Sequence, residues 1–145
     1  MNLLILLFTL TSFTEDITVI KDKSDSKSQL AISITGLRAN KGQIVLALDN
    51  DERNYKSKKD CFKGYFLKVE NNQANIIIED LPTGEYAIKV YHDVNNNGKL
   101  DKNMIGVPSE PYAFSNNAKG FLGIPDFDEV KFPVREQREV VTISF

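Results

Sequence analysis

The sequence predicts an all-β protein, a seven-stranded antiparallel β-sandwich, on three observations. From Gln29 onward apolar residues recur with a period of two, not 3.6. Turn signals rich in Gly, Asn and Pro break the alternation at short intervals. No stretch carries a convincing helical pattern, and short strands that are each apolar on one face bury those faces best as two packed sheets.

The strands follow in order. Leu30, Ile32 and Ile34 alternate with Ala31, Ser33 and Thr35 until Gly36 ends the run. After the turn signal Asn40-Lys41-Gly42, Ile44, Leu46 and Leu48 alternate again. Residues 50–60 (NDERNYKSKKD) read as a charged loop whose lysines form a solvated face. Residues 62–69 and 74–78 are the next two strands, and Asn71-Asn72 between them suits a tight hairpin. Leu81-Pro82-Thr83-Gly84 is a turn, and residues 85–91 form the most regular strand of all. Val130, Phe132 and Val134 make the sixth strand; Val141, Ile143 and Phe145 make the seventh. The alternating residues are core and need no functional explanation.

Composition narrows the function. The 145 residues fit one domain, and 41% hydrophobic residues suffice for a core. A net charge of −2 gives no basic excess to neutralise phosphates, which argues against nucleic acid as a partner. Cys61 is the sole cysteine and His92 the sole histidine, so an intrachain disulfide and a zinc site are both excluded. Cys61 has no base near it in sequence and does not read as a nucleophile.

The chemistry concentrates in one stretch, Asp93-Val94-Asn95-Asn96-Asn97-Gly98-Lys99-Leu100-Asp101. Asp93, Asn95, Asn97 and Asp101 fall at places 1, 3, 5 and 9 of a calcium loop. Gly98 stands at place 6, where the backbone must turn sharply. Lys99 at place 7 offers its carbonyl, and Leu100 anchors the loop to the core. Calcium is a hard cation that takes about six to eight oxygens, and this spacing supplies several from one segment. Place 12 holds Met104 instead of the usual bidentate Glu. The missing carboxylate must come from elsewhere, with Glu110 the candidate, or be replaced by water. The competing reading is a plain Asn97-Gly98 hairpin turn, but residues 99–103 lack the apolar alternation a hairpin partner needs. His92, at the end of the strand before the loop, is assigned a supporting role.

Residues 106–128 (GVPSEPYAFSNNAKGFLGIPDFD) do not read as strand. A long aromatic loop is usually functional or tied down. Tyr112, Phe114, Asn116 and Asn117 are candidate contacts for an outside ligand, either protein or glycan. The alternative is that Tyr112, Phe114 and Phe121 cap the open end of the sandwich.

At the N-terminus, residues 3–13 are an apolar run of secretory h-region size, too short to span a bilayer. No Lys or Arg precedes it and no Ala-x-Ala follows. The expectation is a signal peptide at 1–14, a polar tether at 15–28 and one domain at 29–145, secreted or periplasmic, with no transmembrane segment in the mature chain. The competing reading is a first hydrophobic strand.

Several segments carry a resemblance: Leu81-Pro82-Thr83-Gly84-Glu85-Tyr86, then His92 through Asp101, Gly106-Val107-Pro108-Ser109-Glu110 and Tyr112-Ala113-Phe114-Ser115-Asn116-Asn117. Together they closely resemble an uncharacterised bacterial family, domain of unknown function 2141, over about residues 30–145. The resemblance implies an exported bacterial β-sandwich domain, of immunoglobulin-like or prealbumin-like type, and brings no activity with it. Ala113 and Leu122-Gly123-Ile124-Pro125 depart from the pattern, which has Gly and a Gly-Pro-Pro stretch there.

Two functions compete. The first is a calcium-binding envelope module that binds or adheres without catalysis; no nucleophile–base pair or paired catalytic carboxylates stand at useful spacing. The second is a hydrolase-type enzyme drawing His92, Asp93 and Ser115 from separate loops, which requires a geometry that residue types alone do not supply.

Overall fold

The computed structural model describes residues 28–121 and 123–145. The expected signal peptide and tether lie outside the described residues, apart from Ser28, which opens the first strand. Among the described residues eight strands form, named here β1 (Ser28–Thr35), β2 (Gln43–Asp49), β3 (Lys63–Lys68), β4 (Ala74–Leu81), β5 (Gly84–Asp93), β6 (Tyr112–Phe114), β7 (Phe132–Val134) and β8 (Arg138–Ser144). They build two sheets, β4-β1-β8 and β3-β2-β5-β6, with β7 joining the second sheet on β5.

Two points correct the sequence expectation. The strand count is eight, because Tyr112–Phe114 pairs antiparallel with Lys89–Tyr91 inside the segment that did not read as strand. Three residues are too few for alternation to show. The sheets are also not wholly antiparallel, since β1 and β8 run parallel from Gln29↔Arg138 to Thr35↔Ser144.

The core follows from the alternation. Leu30, Ile32, Ile34 and Ile143 of the first sheet meet Ile44, Leu46, Leu48, Ile88 and Val90 of the second. Full burial of each such side chain contributes about 1.5–3 kcal/mol. β5 is central and buried on both faces: its outward Ala87 joins Tyr55, Phe114 and Val130 in a second cluster. β6 and β7 share its free edge in tandem, opposite Lys89–Tyr91 and Gly84–Tyr86. The hairpin at Asn71-Asn72 forms, with φ of 53° and 59°. Its strands then part for different sheets after the single Glu70↔Gln73 bridge.

Two short α-helices also occur among the described residues, named here α1 (Glu52–Lys56) and α2 (Phe127–Val130). The stretch read as a charged loop contains α1, started by Asp51, whose side chain accepts the Asn54 N–H at 2.7 Å. It buries Tyr55 completely. The Tyr55 hydroxyl donates to the Pro125 carbonyl at 3.0 Å, and Lys89 Nζ donates to the Tyr55 carbonyl at 2.6 Å. Lys89 also pairs with the buried Asp49 at 2.9 Å. Burial pushes the Asp49 carboxyl up, and Lys89 offsets only part of that. No helix among the described residues is long and apolar enough to cross a membrane.

Candidate metal centre

The loop begins where β5 ends. Asp93 is the last residue of β5 and is fully buried, although the loop it anchors is exposed. Its Oδ1 accepts the Asn97 N–H at 3.0 Å, and its Oδ2 accepts the Gly98 N–H at 2.8 Å. Gln43, its register partner on β2, donates from Nε2 to the same Oδ2 at 2.8 Å. Burial pushes this carboxyl up. Hydrogen bonds from Gln43 and from the N–H groups of Gly98, Asn97 and Asn96 outweigh it and hold the group below the ordinary carboxylate range.

The side chains of Asn95 and Asn97 both turn their amide nitrogens to Asp101. Asn95 Nδ2 donates to Asp101 Oδ2 at 2.7 Å, and Asn97 Nδ2 to Asp101 Oδ1 at 2.9 Å. The Oδ1 atoms of Asn95 and Asn97 accept the N–H groups of Asn97 and Lys99, at 3.1 and 2.8 Å. Each amide oxygen keeps a second lone pair. Gly98 has φ +74°, the left-handed turn that place 6 demands. Asn96 takes a similar conformation at φ 58°, which Asn tolerates. The Lys99 side chain points to solvent.

Glu110, the expected twelfth-place substitute, reaches the loop from beyond it, and both of its carboxylate oxygens accept backbone N–H groups there. Its Oε1 accepts the Val94 N–H at 2.9 Å and its Oε2 the Asp101 N–H at 3.0 Å, so it ties places 2 and 9 together. Met104 is fully exposed, because the chain leaves the loop at Asp101.

Three supports were not legible in the motif. Gly42 (φ +75°) lies against the start of the loop: a Cβ there would overlap the Asp93 carbonyl oxygen and sit 2.8 Å from Val94 Cα. Gln43 is the second. The third is the Lys41 carbonyl, which accepts a hydrogen bond from His92 Nε2 at 2.7 Å, so in neutral His92 the other ring nitrogen carries no proton. The signal for Gly42 was its place in a turn; nothing in the local sequence linked it to Asp93.

The residues of the hydrolase reading are not brought together. Ser115 is fully buried, donating to the Val130 carbonyl at 2.6 Å and accepting the Ile88 N–H at 3.0 Å. It lies opposite Ile88, four residues along β5 from His92, about 13 Å of strand. A depression of about 330 Å³ is lined by Leu37, Arg38, His92, Glu110, Tyr112 and Phe145 among others, and Ser115 is not on its wall. Of the four outside-ligand candidates, Phe114 is buried in the second cluster. Asn116 donates to the carbonyls of Glu129 and Lys131, and Asn117 accepts the Ser144 N–H. Tyr112 keeps an exposed ring, packed edge-on against Phe114 at 5.8 Å. Phe121 is 92% exposed and caps nothing.

No group of three or more His, Cys, Asp or Glu side chains gathers as a metal site among the described residues. A cation at this loop would have two carboxylates and two amides to draw on, oxygen donors suited to a hard ion and unsuited to zinc or copper. Fold and loop thus define a class: a two-sheet, mostly antiparallel β protein carrying an oxygen-rich loop at the end of its central strand. Over residues 32–142 the chain matches the family described as an uncharacterized protein conserved in bacteria, DUF2141, and it belongs to that family. No curated protein and no solved structure matches it.

Proposed function

We propose that this protein is a calcium-binding module of the cell envelope, secreted or periplasmic, with a binding or structural role and no catalytic step. In this reading the two sheets form a sandwich of immunoglobulin-like or prealbumin-like type that holds the loop rigid at one end. The observation that carries it is the hydrogen-bonded linkage of Asn95 and Asn97 to Asp101 and of Asp93 to the Asn97 and Gly98 N–H groups, which gathers all four side chains in one short turn. Asp93 and Asp101 bring the two charges that balance Ca²⁺, the Asn oxygens add dipoles, and Lys99 adds a carbonyl. Glu110 braces the loop through two backbone N–H groups, leaving lone pairs free on its carboxylate. The absence of catalysis is supported by Ser115, whose hydroxyl is consumed in the core. The module's partner would be a protein or glycan outside the cell.

With no carboxylate at place 12, affinity falls in the weak extracellular range, on the order of 10⁻⁴ to 10⁻³ M. Isothermal calorimetry of the purified protein with calcium, and separately with magnesium, tests this. One calcium site in that range with little magnesium heat is the expected result; no calcium heat at millimolar concentration overturns it.

A further inference from the structure

Directly after place 9 the chain builds a small ribbon. Lys102 pairs with Pro108 across it, and the Asn103 N–H donates to the Val107 carbonyl at 2.8 Å. The Gly106 N–H donates to the Asn103 carbonyl at 3.0 Å. The Asn103 side chain closes the tip, its Oδ1 accepting the N–H groups of Ile105 and Val107 at 3.1 and 3.0 Å. The Ser109 N–H donates to the Asp101 carbonyl at 2.8 Å, which fixes the ribbon base to the loop.

This ordered tip holds apolar side chains in water. Met104 is fully exposed, Ile105 is 83% exposed and Val107 is 51% exposed. Consecutive apolar groups kept outward by a purpose-made turn mark a contact surface. Its size decides the occupant. The tip offers three apolar side chains, far short of the roughly 800 Å² per partner of a stable protein interface. A lipid interface asks for something else: a few apolar groups entering by about 5–10 Å, with cationic side chains beside them. It also asks that entering backbone groups be already hydrogen-bonded, as the N–H groups of Asn103, Ile105, Gly106 and Val107 are.

Charge supplies the control. Residues 93–110 carry Asp93, Asp101 and Glu110 against Lys99 and Lys102, a net −1 that an anionic surface repels. A divalent cation in the loop would turn that to +1, with Lys99 and Lys102 both exposed and Lys102 on the ribbon itself.

We propose that the 102–108 ribbon is a calcium-gated membrane contact, inserting Met104, Ile105 and Val107 into the interface of an anionic phospholipid bilayer. The gating rests on the calcium reading above; the contact surface is a separate claim.

The chain contains no tryptophan, so Ile105→Trp installs a single fluorophore at the tip. Val140→Trp, at a 65% exposed position on β8, is its control. Both are mixed with vesicles of phosphatidylcholine alone or with an equimolar share of phosphatidylglycerol, with calcium and then chelator. The expected result is a blue-shifted emission for Ile105→Trp only, on anionic vesicles with calcium, reversed by chelator. In an otherwise wild-type chain, Met104→Ser with Ile105→Ser should lower calcium-dependent sedimentation with those vesicles at least ten-fold. Calorimetric calcium uptake without any shift overturns the membrane contact and leaves the calcium reading standing. A shift that survives chelator overturns the gating, and absence of calcium uptake removes the calcium reading with it. A shift that needs protein concentration and no vesicles assigns the tip to self-association and overturns the proposal.

Discussion

Gln43 donates to Asp93 Oδ2 at 2.8 Å across the last register pair of β2 and β5. The residue that would be a metal ligand is therefore aimed by the neighbouring strand, not by its own loop alone. Removing that donor should cost stability where Asp93 is charged, and progressively less in acid. Asp93 is held below its ordinary value, so between the unfolded value of about 3.9 and the lower folded one the unfolded chain binds more protons. Its stabilising contribution is present above that window and is lost as pH falls through it. Gln43→Ala should raise the Asp93 pKa, flatten this acid limb and cost about 1.5–3 kcal/mol near neutrality. Urea unfolding of both proteins across the acid range checks it, and parallel acid limbs would show that Gln43 does not tune Asp93.

Gly42 carries the second prediction. Its positive φ and the Asp93 carbonyl leave no room for a Cβ. Gly42→Ala must shift the start of the loop or strain the turn, at a cost of about 1–3 kcal/mol. Calcium affinity should fall with it. Gly98→Ala is the informative contrast, because its φ is similar but nothing lies within 4 Å of a Cβ there. Denaturant unfolding should show Gly42→Ala to be the more damaging change.

These two residues also mark how far the sequence could be read. The seven alternating runs were visible because each strand faces one core, and period two is the direct imprint of that. The parallel pairing of β1 with β8 left no such imprint, since register between segments 109 residues apart, as from Gln29 to Arg138, is a property of the closed fold. Loop places 1, 3, 5, 6 and 9 could be picked out because they share one short segment. Gln43 and Gly42 were not, because their tie to Asp93 spans about 50 residues of chain. Tyr55 was missed for a third reason: one apolar residue amid charges makes no pattern, yet it anchors the outer cluster. The helix starts were more available, as Asp126 and Glu129 carry the spacing of a capping box, and the Asp126 N–H does donate to Glu129 Oε2 at 2.9 Å.

Ser115 tests the absence of chemistry. Its hydroxyl satisfies the Ile88 N–H and the Val130 carbonyl inside the protein. Ser115→Ala should cost about 1–3 kcal/mol by leaving those groups unpaired, and change nothing else. Calcium uptake measured by calorimetry should match wild type below the melting transition. A hydrolytic turnover present in wild type and lost in a folded Ser115→Ala protein would overturn the non-catalytic reading.

The last prediction separates a metal loop from a turn. A ligand that binds only the folded state stabilises it, by about 2.7 kcal/mol at ~100 times its dissociation constant. Calcium should therefore raise the melting temperature, and chelator should reverse the rise. Magnesium should do little, because it keeps its waters and demands a tight octahedral shell. Asp93→Ala should abolish the rise by removing one of two balancing charges, though it also frees the N–H groups of Asn97 and Gly98 and will melt lower at the outset. The comparison is thus the calcium-induced difference within each protein, never the absolute melting point. Asn96 is the matched control: it holds place 4 at φ 58°, so Asn96→Gly keeps that conformation without strain and should retain the full rise. Equal calcium-induced shifts in wild type and Asp93→Ala would reduce the loop to a turn at the end of β5.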